Sequence, residues 1–252
     1  MKPLRQDLVS AWWRTFAVQG SWNYRTMIGG GMAFAMLPLL RRIYAGDPVR
    51  FSEAIARHLR AFNSHPYLAG MAVGALARAE LEGESPERVE RFRIALSGPL
   101  GTVGDRMIWA SWRPACLLVA IAAFGMGVGP IWSVILFQAT YNVGHIAIRI
   151  WGFRRGWQDG LGVSQALRER WLNVIPNVLA PVILLLLGLD AVLLSRQVLD
   201  VVAWHGFFAG LALVAAFVAL MAFRWPRRTG RIAVALVLSI PLVWLVLAAL
   251  NA

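Results

Sequence analysis

The sequence predicts an all-α polytopic membrane protein, with short, re-entrant or broken helices in its N-terminal half and about three transmembrane helices at its C-terminal end. Composition is the first reason. Of 252 residues, 58% are hydrophobic and 15% charged, where a soluble domain carries nearer a quarter charged. Mean hydropathy is +0.59. The second reason is three long apolar runs after residue 177, each close to the roughly 20 residues that a helix needs to cross the hydrocarbon layer. The third is a set of shorter apolar runs, rich in glycine and proline, ahead of them.

The elements follow in order. Leu8 to Phe16, with Trp12, Trp13 and Arg14, mixes aromatic and basic residues, which suits an amphipathic helix at the membrane interface; residues 1–20 form that segment. Met1 leads into no apolar signal core and no small-residue cleavage site, so no cleaved signal peptide is expected. Met27 to Leu40 and Pro66 to Ala77 are apolar but short, as re-entrant segments or core helices are. Between them, Phe51, Ala54, Ile55, Leu59 and Phe62 recur at helical spacing, opposite a charged face. Glu80 to Arg93 is the most charged stretch and reads as cytoplasmic. Ser85-Pro86 marks a helix start, with Ser85 as the cap.

Cys116 to Tyr141 is apolar but interrupted by Gly125-Met126-Gly127-Val128-Gly129-Pro130, a hairpin at the membrane surface or a discontinuous helix. Asn142, His145, Arg149, Arg154 and Arg155 then lead out of the membrane. The long runs are Val178 to Leu194, Val198 to Phe223 and Ile232 to Leu250. Four arginines among residues 224–231 place that loop in the cytoplasm. The loop at Ser195 to Val198 and the C-terminus then lie outside, with the N-terminus cytoplasmic. The core extends over 21–162 and the C-terminal helices over 163–252.

Several function classes are excluded. Cys116 is the only cysteine and the four histidines are scattered, so neither a disulfide framework nor a metal site is expected. The net charge of +12 is almost all arginine, spread between apolar segments rather than gathered on a basic face with stacking aromatics, which argues against nucleic acid. No HExxH, GxxxxGK[ST] or GxGxxG motif is present, and no catalytic residue or cofactor is expected.

Five constellations remain. Gly98 to Arg106 places three glycines and a proline before an apolar run: either a loop whose free backbone groups and Asp105 face a polar solute, or a surface turn with Asp105 as a cap. Phe62-Asn63-Ser64-His65-Pro66-Tyr67 offers the hydrogen-bonding groups a sugar needs, or is a helix linker. Gly70 and Gly74 form a GxxxG packing pair. Asn142, His145 and Arg149 share one helical face, turned toward a transport path or partner, or anchored at headgroups. Asp190, Asp200 and His205 read as a proton relay or, better, as surface positions beside the outer loop.

With these segments in view, the chain resembles the IID membrane subunit of the mannose/fructose/sorbose family of bacterial phosphotransferase systems. The likeness rests on Ser21 to Met27 with Met36-Leu37-Pro38, and on His58-Leu59 with Phe62 to Tyr67. It continues through Ala95 to Asp105 with Trp109 and Arg113-Pro114, and through Gly129-Pro130, Leu136-Phe137, Asn142, His145, Arg149, Trp151-Gly152 and Gly156. The resemblance implies a sugar permease subunit of the bacterial inner membrane. It implies pairing with a IIC subunit in a trimer of heterodimers embedded in membrane lipid, with a hexose-type sugar phosphorylated by a separate IIAB. It also implies that Asn63, His65, Asp105 and Arg113 line the path or the subunit interface, with Asn23, Asn142, His145 and Arg149 as secondary candidates. Two departures stand out. Arg106 follows Asp105, where it could neutralise the carboxylate, and only Ser195-Arg196-Gln197 remain of a longer outer segment. A stand-alone secondary transporter and a non-transporting IID-derived scaffold are the alternatives.

Overall fold

The computed structural model describes residues 2–198. These fold into α1 (Arg5–Arg14), α2 (Gly29–Ile43), α3 (Pro48–His58), α4 (Ala69–Leu81), α5 (Pro86–Gly104), α6 (Arg113–Gly125), α7 (Pro130–Asp159) and α8 (Trp171–Val198). A π-helix, Asp105–Trp112, joins α5 to α6, and short 3-10 helices follow α1 (Thr15–Ala17) and α7 (Gly160–Arg168). Two isolated bridges are the extent of β-structure among the described residues. The runs after α8 lie outside the described residues, as do Asp200 and His205.

The chain divides into two compact units. The first comprises Met1–Ala110 with Asn142–Pro176, and the second Ser111–Tyr141 with Asn177–Ala252. In the first unit α2 packs on α1, α3 and α4. α4 is the most enclosed helix: Met71, Val73, Leu76 and every residue from Ala69 to Ala77 are buried. Its small residues allow this. A Cβ on Gly74 would stand 2.6 Å from the backbone nitrogen of Trp157, and one on Gly156 would stand 2.1 Å from the carbonyl of Met71. The expected Gly70/Gly74 pair is therefore half of a seam, and the C-terminal part of α7 supplies the other half.

Capping follows the sequence. Ser85 Oγ accepts from the Arg88 amide (3.3 Å) and Asp47 Oδ1 from the Arg50 amide (3.0 Å), each with a proline opening the helix. In the second unit α6 ends at Gly125, Gly127 takes φ +95°, and α7 begins at Pro130. The indole N–H of Trp112 donates to the Tyr141 carbonyl at 3.3 Å, so the chain does fold back as a hairpin.

Four expectations are corrected. Gly98 to Arg106 is neither a loop nor a turn: α5 runs through it and passes into the π-helix. The backbone there is held by packing of Leu96, Leu100 and Gly104, and tertiary contacts override the weak helix propensity of glycine. The wide turns come just before Pro114, which can neither bond the carbonyl four residues back nor sit against it. Second, Arg57 and His58 on α3 are buried rather than on a solvated face, because α4 brings them an acidic partner. Third, Ser195 to Gln197 still belongs to α8; no glycine or proline stops the helix there. Fourth, Asp190 is only 5% exposed, not a surface residue.

Among the described residues, two runs are long and apolar enough to cross a membrane: Pro86–Gly125 and Pro130–Ser195, the second interrupted by the 3-10 corner. Outward-facing Leu117, Ile131, Trp132, Val134 and Leu185 are exposed, as lipid-facing positions are.

Candidate functional site

The linker between α3 and α4, residues 59–68, is the centre of the first unit's polar face. It is held from both sides. Toward α2, the Phe62 amide donates to the Thr26 carbonyl (3.2 Å) and the Ile28 amide to the Phe62 carbonyl (3.0 Å). Toward α5, the Asn63 amide donates to Ser97 Oγ at 3.2 Å, and the Ser97 hydroxyl donates back to the Asn63 carbonyl. Arg93 donates to the carbonyls of Arg60 and Ala61 (3.2 and 3.0 Å) and pairs with Glu90. The linker then lies so close to α5 that a Cβ on Gly104 would stand 2.2 Å from that of His65. Gly104 thus serves close approach, not an irregular loop.

His65 is buried. Its Nδ1 accepts from the Tyr67 amide at 3.2 Å, which fixes the proton on Nε2. The ring meets Tyr67 and Trp109 edge-on, at 5.0 and 4.9 Å. Tyr67 lies 4.6 Å from His145, whose Nδ1 is 3.1 Å from Asn142 Oδ1. The Arg149 guanidinium sits between two rings, 4.5 Å from Phe16 and 4.6 Å from Tyr67, and donates to the Thr15 carbonyl at 2.8 Å. Arg149 therefore satisfies a carbonyl in the turn after α1 while its charge rests on aromatic faces.

The structure brings together His65, Asn142, His145 and Arg149. Asn63 belongs with them through the linker, but its side chain is exposed. Asp105 and Trp109, in the π-helix, are exposed, as are Gly98 and Thr102 of α5; Trp109 is 47% exposed. Arg106 reaches Asn173 of α8 (3.0 Å). Arg113 is exposed and begins α6 in the second unit. Asn23 organises its own turn: its Oδ1 accepts from the amides of Arg25 and Thr26, and its Nδ2 donates to Thr26 Oγ1. The turn it shapes ends at the Thr26 carbonyl that holds Phe62.

The sequence reading missed a second buried group. Glu80 accepts from Arg57 (2.8 Å), from His58 (2.8 Å) and from the Tyr44 hydroxyl. Burial alone would raise the Glu80 pKa, but hydrogen bonds from His58, Tyr44 and Arg57 hold it at about 2. Burial lowers that of His58, which stays neutral and donates from Nε2. In the sequence Glu80 stands near the end of α4, where Arg78 is the only other charge. The group ties the ends of α2, α3 and α4 and offers no opening to a ligand.

Asn63, Thr102, Asp105 and Trp109 are all exposed in the first unit, and the Thr102 hydroxyl donates to the Gly98 carbonyl at 3.1 Å. Among the described residues no cluster fit to hold a metal is present.

Comparison with known proteins gives the following. Residues 4–194 match the family described as the PTS system mannose/fructose/sorbose family IID component. The mannose-specific EIID component of Escherichia coli K12 is 31% identical over 179 residues, 68% of this chain and 62% of that protein. The fructose permease IID component of Bacillus subtilis is 29% identical over 170 residues, 65% of this chain and 60% of that one. The chain thus spans about 62% of the length of the first of these relatives. The mannose transporter ManYZ, solved by cryo-electron microscopy in complex with microcin E492, shares the fold, with TM-score 0.57 and 27% identity over 75% of this chain and 70% of that chain. A second structure, described as a membrane protein, gives TM-score 0.65 at 27% identity, over 76% and 71%.

Proposed function

The chain belongs to the IID components of the mannose/fructose/sorbose phosphotransferase family, and from that premise we propose that it is the IID half of a sugar permease. It pairs with a IIC subunit, the pairs assemble as trimers, and the unit carries a hexose-type sugar inward to a IIAB phosphoryl donor. It performs no chemistry itself. It sits in the inner membrane with its N-terminus cytoplasmic and its C-terminus outside. The observation that carries the reading is the meeting of three motif stretches at one place. The Asn23 turn, the Asn63–Tyr67 linker and the Ser97–Trp109 face are joined by hydrogen bonds at Phe62 and Asn63 and by the Gly104–His65 approach.

On this reading Asn63 and Asp105 offer hydrogen bonds to sugar hydroxyls or to the IIC subunit, and Trp109 offers a ring face. His65, His145 and Arg149 hold the lining in place from behind. Arg113 contributes at the subunit interface. The test is uptake of radiolabelled mannose or fructose by cells expressing the chain with its IIC and IIAB partners. Asp105→Asn should lower phosphorylating uptake at least about tenfold while leaving co-purification with IIC intact, since a charged hydrogen bond inside a site is worth ~1.5–3 kcal/mol. Undiminished uptake by Asp105→Asn and Asn63→Ala together removes the site assignment. Uptake by the chain alone in liposomes overturns the permease-subunit reading.

A further inference from the structure

We infer that the corner between α7 and α8 is a binding site for the headgroup of an anionic phospholipid. The corner is a tight helical hairpin end. Trp151 of α7 meets Trp171 of α8 edge-on at 4.8 Å, and Arg155 of α7 donates to Glu169 at 2.9 Å and stands 3.5 Å from Asp159. The indole N–H of Trp171 donates to the second Glu169 oxygen at 2.6 Å. Both corner acids face Arg155, and Glu169 also takes the Trp171 indole. Three further arginines, Arg154, Arg168 and Arg170, are exposed around the same corner, and none has an ion-pair partner among the described residues.

What lies next to these cations selects the ligand. From Trp171, α8 presents Val174, Val178, Val182, Leu185 and Leu189 at spacings of three and four residues, each exposed; Val178 is 57% and Leu185 60% exposed. The order along one helix is cation, indole, then an uncovered aliphatic stripe about 27 Å long at 1.5 Å per residue. That is the order of a phospholipid: phosphate, glycerol region, acyl chain. An acidic protein would match the arginines but leave the stripe bare. Guanidinium groups bind phosphate through paired N–H donors, and basic groups beside membrane helices recognise anionic headgroups. The inference needs only that α8 lies in a membrane, so it stands or falls apart from sugar transport.

The test titrates the purified full chain in neutral detergent with phosphatidylglycerol, phosphatidylcholine, glycerol phosphate or polyglutamate and follows its melting temperature. Phosphatidylglycerol alone should raise it by several degrees. Arg154→Gln/Arg168→Gln/Arg170→Gln should raise the half-saturating lipid concentration at least about tenfold, and Arg168→Gln alone about threefold, since each surface cation adds roughly one charge's worth of attraction. Arg41→Gln/Arg50→Gln, two exposed arginines on α2 and α3, should change nothing. Equal response to phosphatidylcholine, a full response to glycerol phosphate or polyglutamate, or unchanged phosphatidylglycerol binding by the single and triple variants would each overturn the inference.

Discussion

Single side chains decide two features of the first unit. Gly104 is the residue on which the linker rests, and its hydrogen leaves the space that His65 fills. Gly104→Ala should push residues 62–67 off α5 at a cost of about 1–3 kcal/mol. The expected result is a lower melting temperature in detergent and loss of sugar uptake together. Glu80 is the other. Glu80→Gln leaves Arg57 buried without its counter-charge and should cost about 3–5 kcal/mol. The pH dependence has a definite sign. The Glu80 carboxyl, held at about 2 in the fold, gives up its stabilisation as pH falls from the unfolded value of 4.5 toward 2. His58, lowered by burial, adds a loss that begins as pH falls below 6.5, because the unfolded chain takes a proton the fold refuses. Acid melting curves should therefore steepen below pH 6.5 in the wild type, and less so in His58→Gln. Of these residues, His65 was legible as part of a hydrogen-bonding run. Glu80 was not, because an acid near a helix end looks the same whether it meets water or a buried arginine.

At the scale of elements, the starts of α3 and α5 could be read from proline and a capping side chain, since those signals are local. The continuity of α5 into the π-helix could not. Three glycines and a proline in nine residues argue for a break on propensity alone, and only the burial of Leu100 and the approach of Gly104 to His65 show why the helix persists. The GxxxG pair in α4 was legible as a packing face, but its partner was not, because Gly152 and Gly156 lie 78 or more residues away in sequence. Gly74→Val should separate α4 from α7, since its side chain would enter the backbone of Phe153 and Trp157. Protease sensitivity of the α4–α5 turn should rise, while Gly162→Ala, at a position with open space around it, should leave that seam intact.

For the whole molecule, composition and the long apolar runs were enough to give an all-α membrane protein, because solvent choice is written in bulk properties. The candidate site was legible only as motif stretches. Three of the stretches that carry the family likeness meet around the linker, as the hydrogen bonds at Phe62 and Asn63 record. For Arg149 the sequence leaves a transport path, a partner subunit and the headgroups open; in the fold its guanidinium donates to Thr15 and rests on Phe16 and Tyr67, contacts between segments far apart in sequence.

The enclosure of α4 also bears on how the chain is made. At 13 residues it is about 20 Å long, too short to bridge a bilayer, and its seam with α7 closes only when residues some eighty positions downstream have left the ribosome. Until then α4 carries a bare glycine groove with nothing to fill it. Biogenesis must shelter that helix through the synthesis of two more, so translation halted before Trp151 should leave a nascent chain that insertion machinery holds rather than releases.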